Sequence, residues 1–271
     1  MDYSISIILC CYNSEKFLNE TLNSIKNQTY TNYELIIVDD GSKDTTLEIL
    51  ESFIKQNQTI KIKLIKQPNM GLPKARNIAL INSSNEYIAI IDHDDLWVKN
   101  KLSEQVNHIK KNKDCYLFFS DFEYLNFIKK NNTRFQTAKL KDNFIPYKLN
   151  LTKSNAFVNL SLLGCFIGSS TVVFKKEVLN YIGFFDENYL FLTDYIFFLK
   201  LSKKYNIFCS PLVLSKWRYH DTNATVKLNK IYIKEMKNLY FILLKDSNFN
   251  LIQKFQILKL SLKFIIKNIL L

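Results

Sequence analysis

The feature that most constrains the fold is an alternation of two hydrophobic periods along the first hundred residues. SISIILCC (4–11) is a short apolar run suited to a buried strand. In the next segment Phe17, Leu18, Leu22 and Ile25 recur at helical spacing behind Asn13 or Ser14 as a cap. YELIIVDD (33–40) predicts a second strand, and Leu47, Leu50 and Ile54 mark one face of a second helix. IKIKLIK (60–66) reads as a third strand, GLPKARNIALINSS as a third helix with Pro73 in its first turn, and EYIAIID (86–92) as a fourth strand. Such β-α-β-α-β-α-β order predicts an α/β fold with a mostly parallel sheet flanked by helices.

In open sheets of this kind, ligands bind beyond the carboxyl ends of the strands. Tyr12 and Asn13 follow the first strand, Asp39 and Asp40 the second, and Asp92, Asp94 and Asp95 the fourth. Three polar clusters, distant in sequence, should therefore share one edge. Carboxylates as close as those of IIDHDDLW repel one another. A metal ion, a helix N-terminus or water must offset that repulsion. No GxGxxG follows a strand and no GxxxxGK[ST] is present, so neither a dinucleotide fingerprint nor an NTPase phosphate loop is expected. An acid-rich edge can still hold phosphates through Mg²⁺ or Mn²⁺.

Several whole classes fall away on composition. Five cysteines without CxxC spacing read as reduced thiols, and the three histidines are too far from paired cysteines for a zinc site. The acidic second residue and early polar turn of MDYSISIILCCYN predict no secretory signal, and no run of about 18 uncharged apolar residues predicts a membrane span. The net charge of +12 is uneven: residues 1–100 hold ten Lys and Arg against thirteen Asp and Glu, whereas residues 227–271 hold nine Lys against Glu235 and Asp246. A basic chain raises the question of nucleic acid. The lysine-rich part is also strongly apolar, so no nucleic-acid partner is expected.

The ordered motifs SIILCCYN…VDDGSKDTT (6–46), GLPKARNIAL (71–80) and YIAIIDHDDLW (87–97) resemble the nucleotide-binding half of family 2 glycosyltransferases of the GT-A fold. The likeness continues more loosely through residues 168–204 to RYHDTNAT (218–225). It implies a GT-A domain over 1–226, with a nucleotide-sugar-binding half (1–110) and an acceptor-binding half (111–226), followed by a basic amphipathic helical tail (227–271). The resemblance also implies roles. Tyr12 flanks the donor's base, Asp39 hydrogen-bonds it, Arg76 contacts the nucleotide, and Asp92 and Asp94 form the DxD pair on ribose and a divalent metal, Mn²⁺ or Mg²⁺. Asp194 matches the acid that closes the family's Glu-Asp motif and serves as catalytic base. His220 matches a histidine near the diphosphate or metal. One departure stands out: Thr193 replaces the usual glutamate beside Asp194.

The implied reaction is inverting transfer of a sugar, from a UDP-sugar donor, to a hydroxyl of a glycan or lipid-linked glycan acceptor. The alternatives are a Mg²⁺-dependent nucleotidyl- or phosphotransferase and a non-catalytic sugar-nucleotide-binding scaffold. Other polar residues read as structural. Asp40 should cap the helix near Ser42, Asp95 should support the turn after the DxD, Asp186 should form a turn, Trp97 belongs in the core, and His108 on a helix surface. Residues 111–165 show no clear periodicity. The tail segment 251–271 is apolar except for Gln253, Gln256, Ser261, Asn268 and four lysines, and Lys254, Lys259, Lys263 and Lys267 should form a stripe along a helix. That pattern suits contact of 251–271 with an anionic membrane surface, hence a peripheral position on the cytoplasmic face. A helix packed on its own domain or on an oligomeric partner fits equally.

Overall fold

The computed structural model describes residues 3–126, 133–221, 223 and 228–269. Its centre is one eight-stranded sheet. The strands are β1 (Ile5–Cys11), β2 (Tyr33–Asp39), β3 (Lys61–Lys66), β4 (Tyr87–Asp92), β5 (Leu96–Trp97), β6 (Cys115–Leu125), β7 (Val173–Lys175) and β8 (Asn206–Arg218), in the order β3-β2-β1-β4-β7-β6-β8-β5. β1 to β4 pair in parallel, β7 runs antiparallel between β4 and β6, and β6 and β8 are parallel. The four strands expected from sequence all form. The sheet also runs through the expected 110/111 boundary, since β5 pairs with β8.

β1 shows why the continuous apolar run becomes a central strand. All seven of its residues are buried, and they alternate between two cores. Ile5, Ile7 and Leu9 face α1 (Leu18–Lys26), α2 (Thr46–Gln56) and α4 (Lys101–Lys111), through Leu22, Leu50 and Leu102. Ile8 and Cys10 face the other way, onto α3 (Leu72–Asn82), α6 (Asn155–Leu163) and α8 (Thr193–Ser202), through Ala79, Phe157 and Phe197. Between these helices lie α5 (Arg134–Asp142) and α7 (Leu179–Ile182). The chain ends in a hairpin of α9 (Asn229–Lys245) and α10 (Leu251–Ile269) that packs on α6.

Two expectations about helix starts are corrected. α1 begins at Leu18 rather than beside Asn13 or Ser14. Asn13 takes a left-handed φ of 49°, and its side chain accepts a hydrogen bond from the Lys43 amide instead. Asp40 does not cap α2. Its carboxylate accepts from the Met70 and Gly71 amides at the start of α3, while Asp44, two residues before α2, accepts from the Thr46 amide. Gly41 permits this crossing: its φ is +76°, and a Cβ there would lie 2.7 Å from the Asn69 amide nitrogen.

Residues 111–165, featureless by periodicity, contain the eleven-residue strand β6. Tertiary pairing with β7 and β8 decides its conformation, which a local pattern does not reveal. His108 is corrected as well. It is half-buried, its ring stacks on Phe208 at 4.7 Å, and burial lowers its pKa. Thr222, Ala224 and Thr225 of the 218–225 motif lie outside the described residues, as does the 226/227 boundary.

Candidate active site

The parallel register carries the polar clusters to one edge. Cys11 lies opposite Asp39, and Cys10 opposite Asp92, so the ends of β1, β2 and β4 are level. Gly71 and Pro73 open α3 beside this edge, and the helix brings Arg76 beneath it. The Arg76 side chain is 2% exposed, and its guanidinium spans two carboxylates. One terminal nitrogen donates to Asp92 Oδ1 at 2.7 Å, and the other to Asp194 Oδ1. Burial works against the arginine's charge, but Asp194 and Asp92 outweigh it and strengthen its hold on the proton. Asp92 titrates above the ordinary carboxylate range. Desolvation is the main cause, opposed by Arg76 and reinforced by Asp194 and Asp94.

Asp194 stands in the first turn of α8, as the helix pattern predicted, with 23% of its side chain exposed. The neutral Thr193 beside it is buried. Orientation comes from elsewhere: Ser169 Oγ donates to Asp194 Oδ2 at 2.6 Å, opposite the oxygen held by Arg76. Ser169 belongs to a 3-10 turn, Ser169–Thr171, that also supports the acid loop. Ser170 Oγ donates to Asp95 Oδ2 at 2.5 Å and accepts from the Asp92 amide at 3.0 Å. The Ser170 carbonyl accepts from the Trp97 indole at 2.7 Å, and the Thr171 carbonyl from Gln105 at 2.7 Å. One turn thus touches both the DxD loop and Asp194. Gly168, the residue just before this turn, sits where a Cβ would approach Phe122 to 2.9 Å.

Asp95 is 2% exposed and accepts from Ser170 and from the Arg218 amide at 3.0 Å, as a support for the turn should. Burial, then Asp94 and Asp92, raise its pKa well above the usual range. Trp97 is buried, and Asp186 forms the expected turn by accepting from Asn188.

Asp94 and His220 form a second cluster. His220 Nε2 lies 2.9 Å from Asp94 Oδ2, and Asn223 Nδ2 lies 3.4 Å from the same oxygen. The His220 ring stacks on Phe17 at 4.9 Å. Arg218 donates to the Asp94 carbonyl and to Glu20, and its guanidinium lies over Phe17. Among the described residues, no group of three or more His, Cys, Asp or Glu side chains converges as a metal cage. The Asp94 carboxylate is an oxygen donor of the kind that Mn²⁺ and Mg²⁺ take alongside phosphate oxygens, and the His220 imidazole suits Mn²⁺ better than Mg²⁺.

Tyr12 and Asp39 sit at the same edge, outside both clusters. The Tyr12 ring is 42% exposed. Asp39 is nearly buried, and its Oδ1 accepts from Ser42 Oγ at 2.5 Å. The structure therefore joins Arg76, Asp92 and Asp194 directly, and Asp94 with His220. Sequence reasoning missed Ser169, Ser170, Arg218 and Asn223. The GSST and HDTN segments were visible, but a serine or asparagine carries no chemistry until its partner is known.

The glycosyl transferase family 2 profile matches residues 6–182. The UDP-Glc:alpha-D-GlcNAc-diphosphoundecaprenol beta-1,3-glucosyltransferase WfgD of Escherichia coli is 31% identical over 244 residues, 89% of this chain and 86% of that protein. The putative teichuronic acid biosynthesis glycosyltransferase TuaG of Bacillus subtilis is 30% identical over 173 residues, 64% of this chain and 62% of that protein. Among solved structures, S. aureus TarS 1–349 in complex with UDP-GlcNAc matches with a TM-score of 0.70 at 21% identity, covering 96% of this chain and 72% of that one. The mannosyltransferase PcManGT of Pyrobaculum calidifontis, in complex with GDP-Man and Mn²⁺, matches with a TM-score of 0.66 at 16% identity, covering 96% and 70%. These likenesses carry the GT-A fold, and the sequence relatives carry the class of reaction in place of the phosphotransferase and scaffold alternatives. The chain belongs to glycosyl transferase family 2.

Proposed function

We propose that the protein transfers a sugar from a UDP-sugar to a hydroxyl of a lipid-linked glycan, with inversion at the anomeric carbon. The observation that carries this reading is Arg76, buried between Asp92 and Asp194. One guanidinium fixes the donor-side acid and the candidate base relative to each other.

Asp194 takes the proton from the acceptor hydroxyl, which must lie within about 2.6–3.2 Å of its carboxylate. The acceptor oxygen bonds to the anomeric carbon as the bond from that carbon to the diphosphate oxygen breaks. UDP leaves on the face opposite the incoming oxygen, which inverts the centre. Asp94 and His220 would hold the divalent ion, which when bound supplies positive charge to the departing diphosphate. Asp92 meets the ribose. Tyr12 lies along the base, and Asp39 meets the base's imide N–H with Oδ2, since Oδ1 is engaged by Ser42. Arg76 acts at the nucleotide end through the Asp92 it positions.

The named activity of the 31%-identical relative supports the UDP-sugar and the lipid-linked acceptor in this reading. In this reading residues 1–110 hold the donor, 111–226 the acceptor, and 227–271 form an appendage at the cytoplasmic face of the membrane. The test is a screen of UDP-sugars for UDP release with Mn²⁺ and a GlcNAc-diphospho-lipid acceptor. We expect turnover that chelation abolishes and Asp94→Ala removes. Asp194→Asn should lose about 10²–10⁴-fold in kcat, the usual worth of a general base, while retaining donor binding. Near-normal kcat in Asp194→Asn would remove that residue from the mechanism. Turnover undiminished by chelation would remove the metal.

A further inference from the structure

The helix α10 is covered on one side only. Ile257 is fully buried, and Phe264 packs against the rings of Tyr232 and Tyr240 in α9. The opposite side is also apolar. Leu251, Phe255, Leu258, Leu262 and Ile266 follow spacings of four and three, which place them along one line of a helix. Each is between 41% and 85% exposed. At 1.5 Å per residue this ridge is about 22 Å long. So long a row of large exposed apolar side chains marks an interaction surface rather than ordinary scatter.

Charge identifies the occupant. Lys259, Lys263 and Lys267 are exposed, each one position beyond a ridge residue, and so line one flank of the ridge; Lys254, expected in the same stripe, is half-buried and lies about 140° round the helix from Lys259. Lys259 Nζ lies 4.5 Å from the centre of the Phe255 ring, which ties the lysine flank to the ridge. No acid occurs between residues 251 and 271. A second copy of the chain would bring the same acid-free lysine row against this one. A surface of anionic headgroups over acyl chains complements both the ridge and its flank.

We propose that the outer face of α10 docks on an anionic lipid bilayer. The helix lies in the plane of the interface, the five apolar side chains enter the acyl boundary, and the lysine flank meets headgroup phosphates. Among the described residues no helix is long and apolar enough to cross a membrane, so the contact is peripheral. This inference deepens the membrane position proposed for residues 227–271, but it needs neither the donor nor Asp194, so its failure would leave the proposed reaction standing.

The experiment is flotation of the full chain with vesicles of phosphatidylcholine alone or with about one-third phosphatidylglycerol. We expect binding to the anionic vesicles only. Raising salt from about 0.1 M to about 1 M shortens the screening length from about 10 Å to about 3 Å and should release much of the protein. Each lysine at such a surface is worth about fivefold in binding, so losing the three charges costs about a hundredfold, and reversing Lys259, Lys263 and Lys267 to Glu should weaken binding by more than that. Leu258→Ser with Leu262→Ser, which leaves charge unchanged, should also abolish flotation. Both variants should keep the parent's thermal melt and its UDP release with a water-soluble acceptor. Equal flotation with both vesicle types, or variants that float like the parent, would overturn the proposal. So would a concentration-dependent dimer that the variants dissolve in the absence of any lipid binding.

Discussion

Ser169→Ala should separate the orientation of Asp194 from its mere presence. In the parent, Ser169 Oγ donates to Asp194 Oδ2 at 2.6 Å while Arg76 holds Oδ1. A hydrogen bond to a charged group contributes about 1.5–3 kcal/mol. Removing it leaves Asp194 fixed at one oxygen and free to turn about that contact. If the bond is fully used when the acceptor proton moves, the barrier rises by that amount, and kcat falls about 10–100-fold. Donor binding rests on other residues, so the donor KM should change less than about threefold. The assay is initial-rate UDP release at saturating donor, with Ser169→Thr as companion. The threonine keeps the hydroxyl and should restore most of kcat. A kcat within twofold of the parent for the alanine variant would refute the reasoning. Equal losses in Ala and Thr would refute it too, because packing of the 169–171 turn would then be the cause.

Two further perturbations test the frame around the site. Arg76→Lys keeps a positive charge but lacks the planar fork that reaches two acids, so one of Asp92 and Asp194 loses its partner. Stability should fall by about 2–4 kcal/mol, a large part of what breaking a buried pair costs, read as a lower urea midpoint, and activity should fall with it. Glu34 lies at the opposite end of β2 from the site. Burial tends to raise its pKa, but hydrogen bonds from Lys61, Ser6 and Ser84 outweigh burial and lower it to about 2. Because the folded pKa lies below the unfolded one, the contribution is present above about pH 4.5 and is lost as pH falls toward 2. At about 1.4 kcal/mol per pKa unit the contribution reaches up to about 3 kcal/mol at neutral pH. Glu34→Gln should therefore lower stability at pH 7 and melt like the parent near pH 2; equal melting at both pH values would show that the bonds add nothing.

Legibility followed the range of the interactions. The four parallel strands and their ligand edge were readable because a buried strand and an amphipathic helix write their periods into contiguous residues. β6 was not, because its pairing partners β7 and β8 lie about fifty or more residues further on. The caps failed for a related reason. Asp40 and Asn13 had the right chemistry for a local cap, but the fold offered each a partner about thirty residues away. Thr193 shows the same principle at the site. Read locally, a neutral residue where relatives of the motif carry glutamate leaves Asp194 without an orienting neighbour. In the fold Asp194 is held by Arg76, 118 positions away, and by Ser169, 25 positions away. What a motif residue does can therefore pass to residues on other elements, provided that they carry a donor to the same carboxylate. On that argument a second acid beside Asp194 is dispensable here, and the constraint has moved onto the 169–171 turn. Since that turn also holds Asp92 and Asp95 through Ser170, a shift of the turn reaches Asp92, Asp95 and Asp194 together.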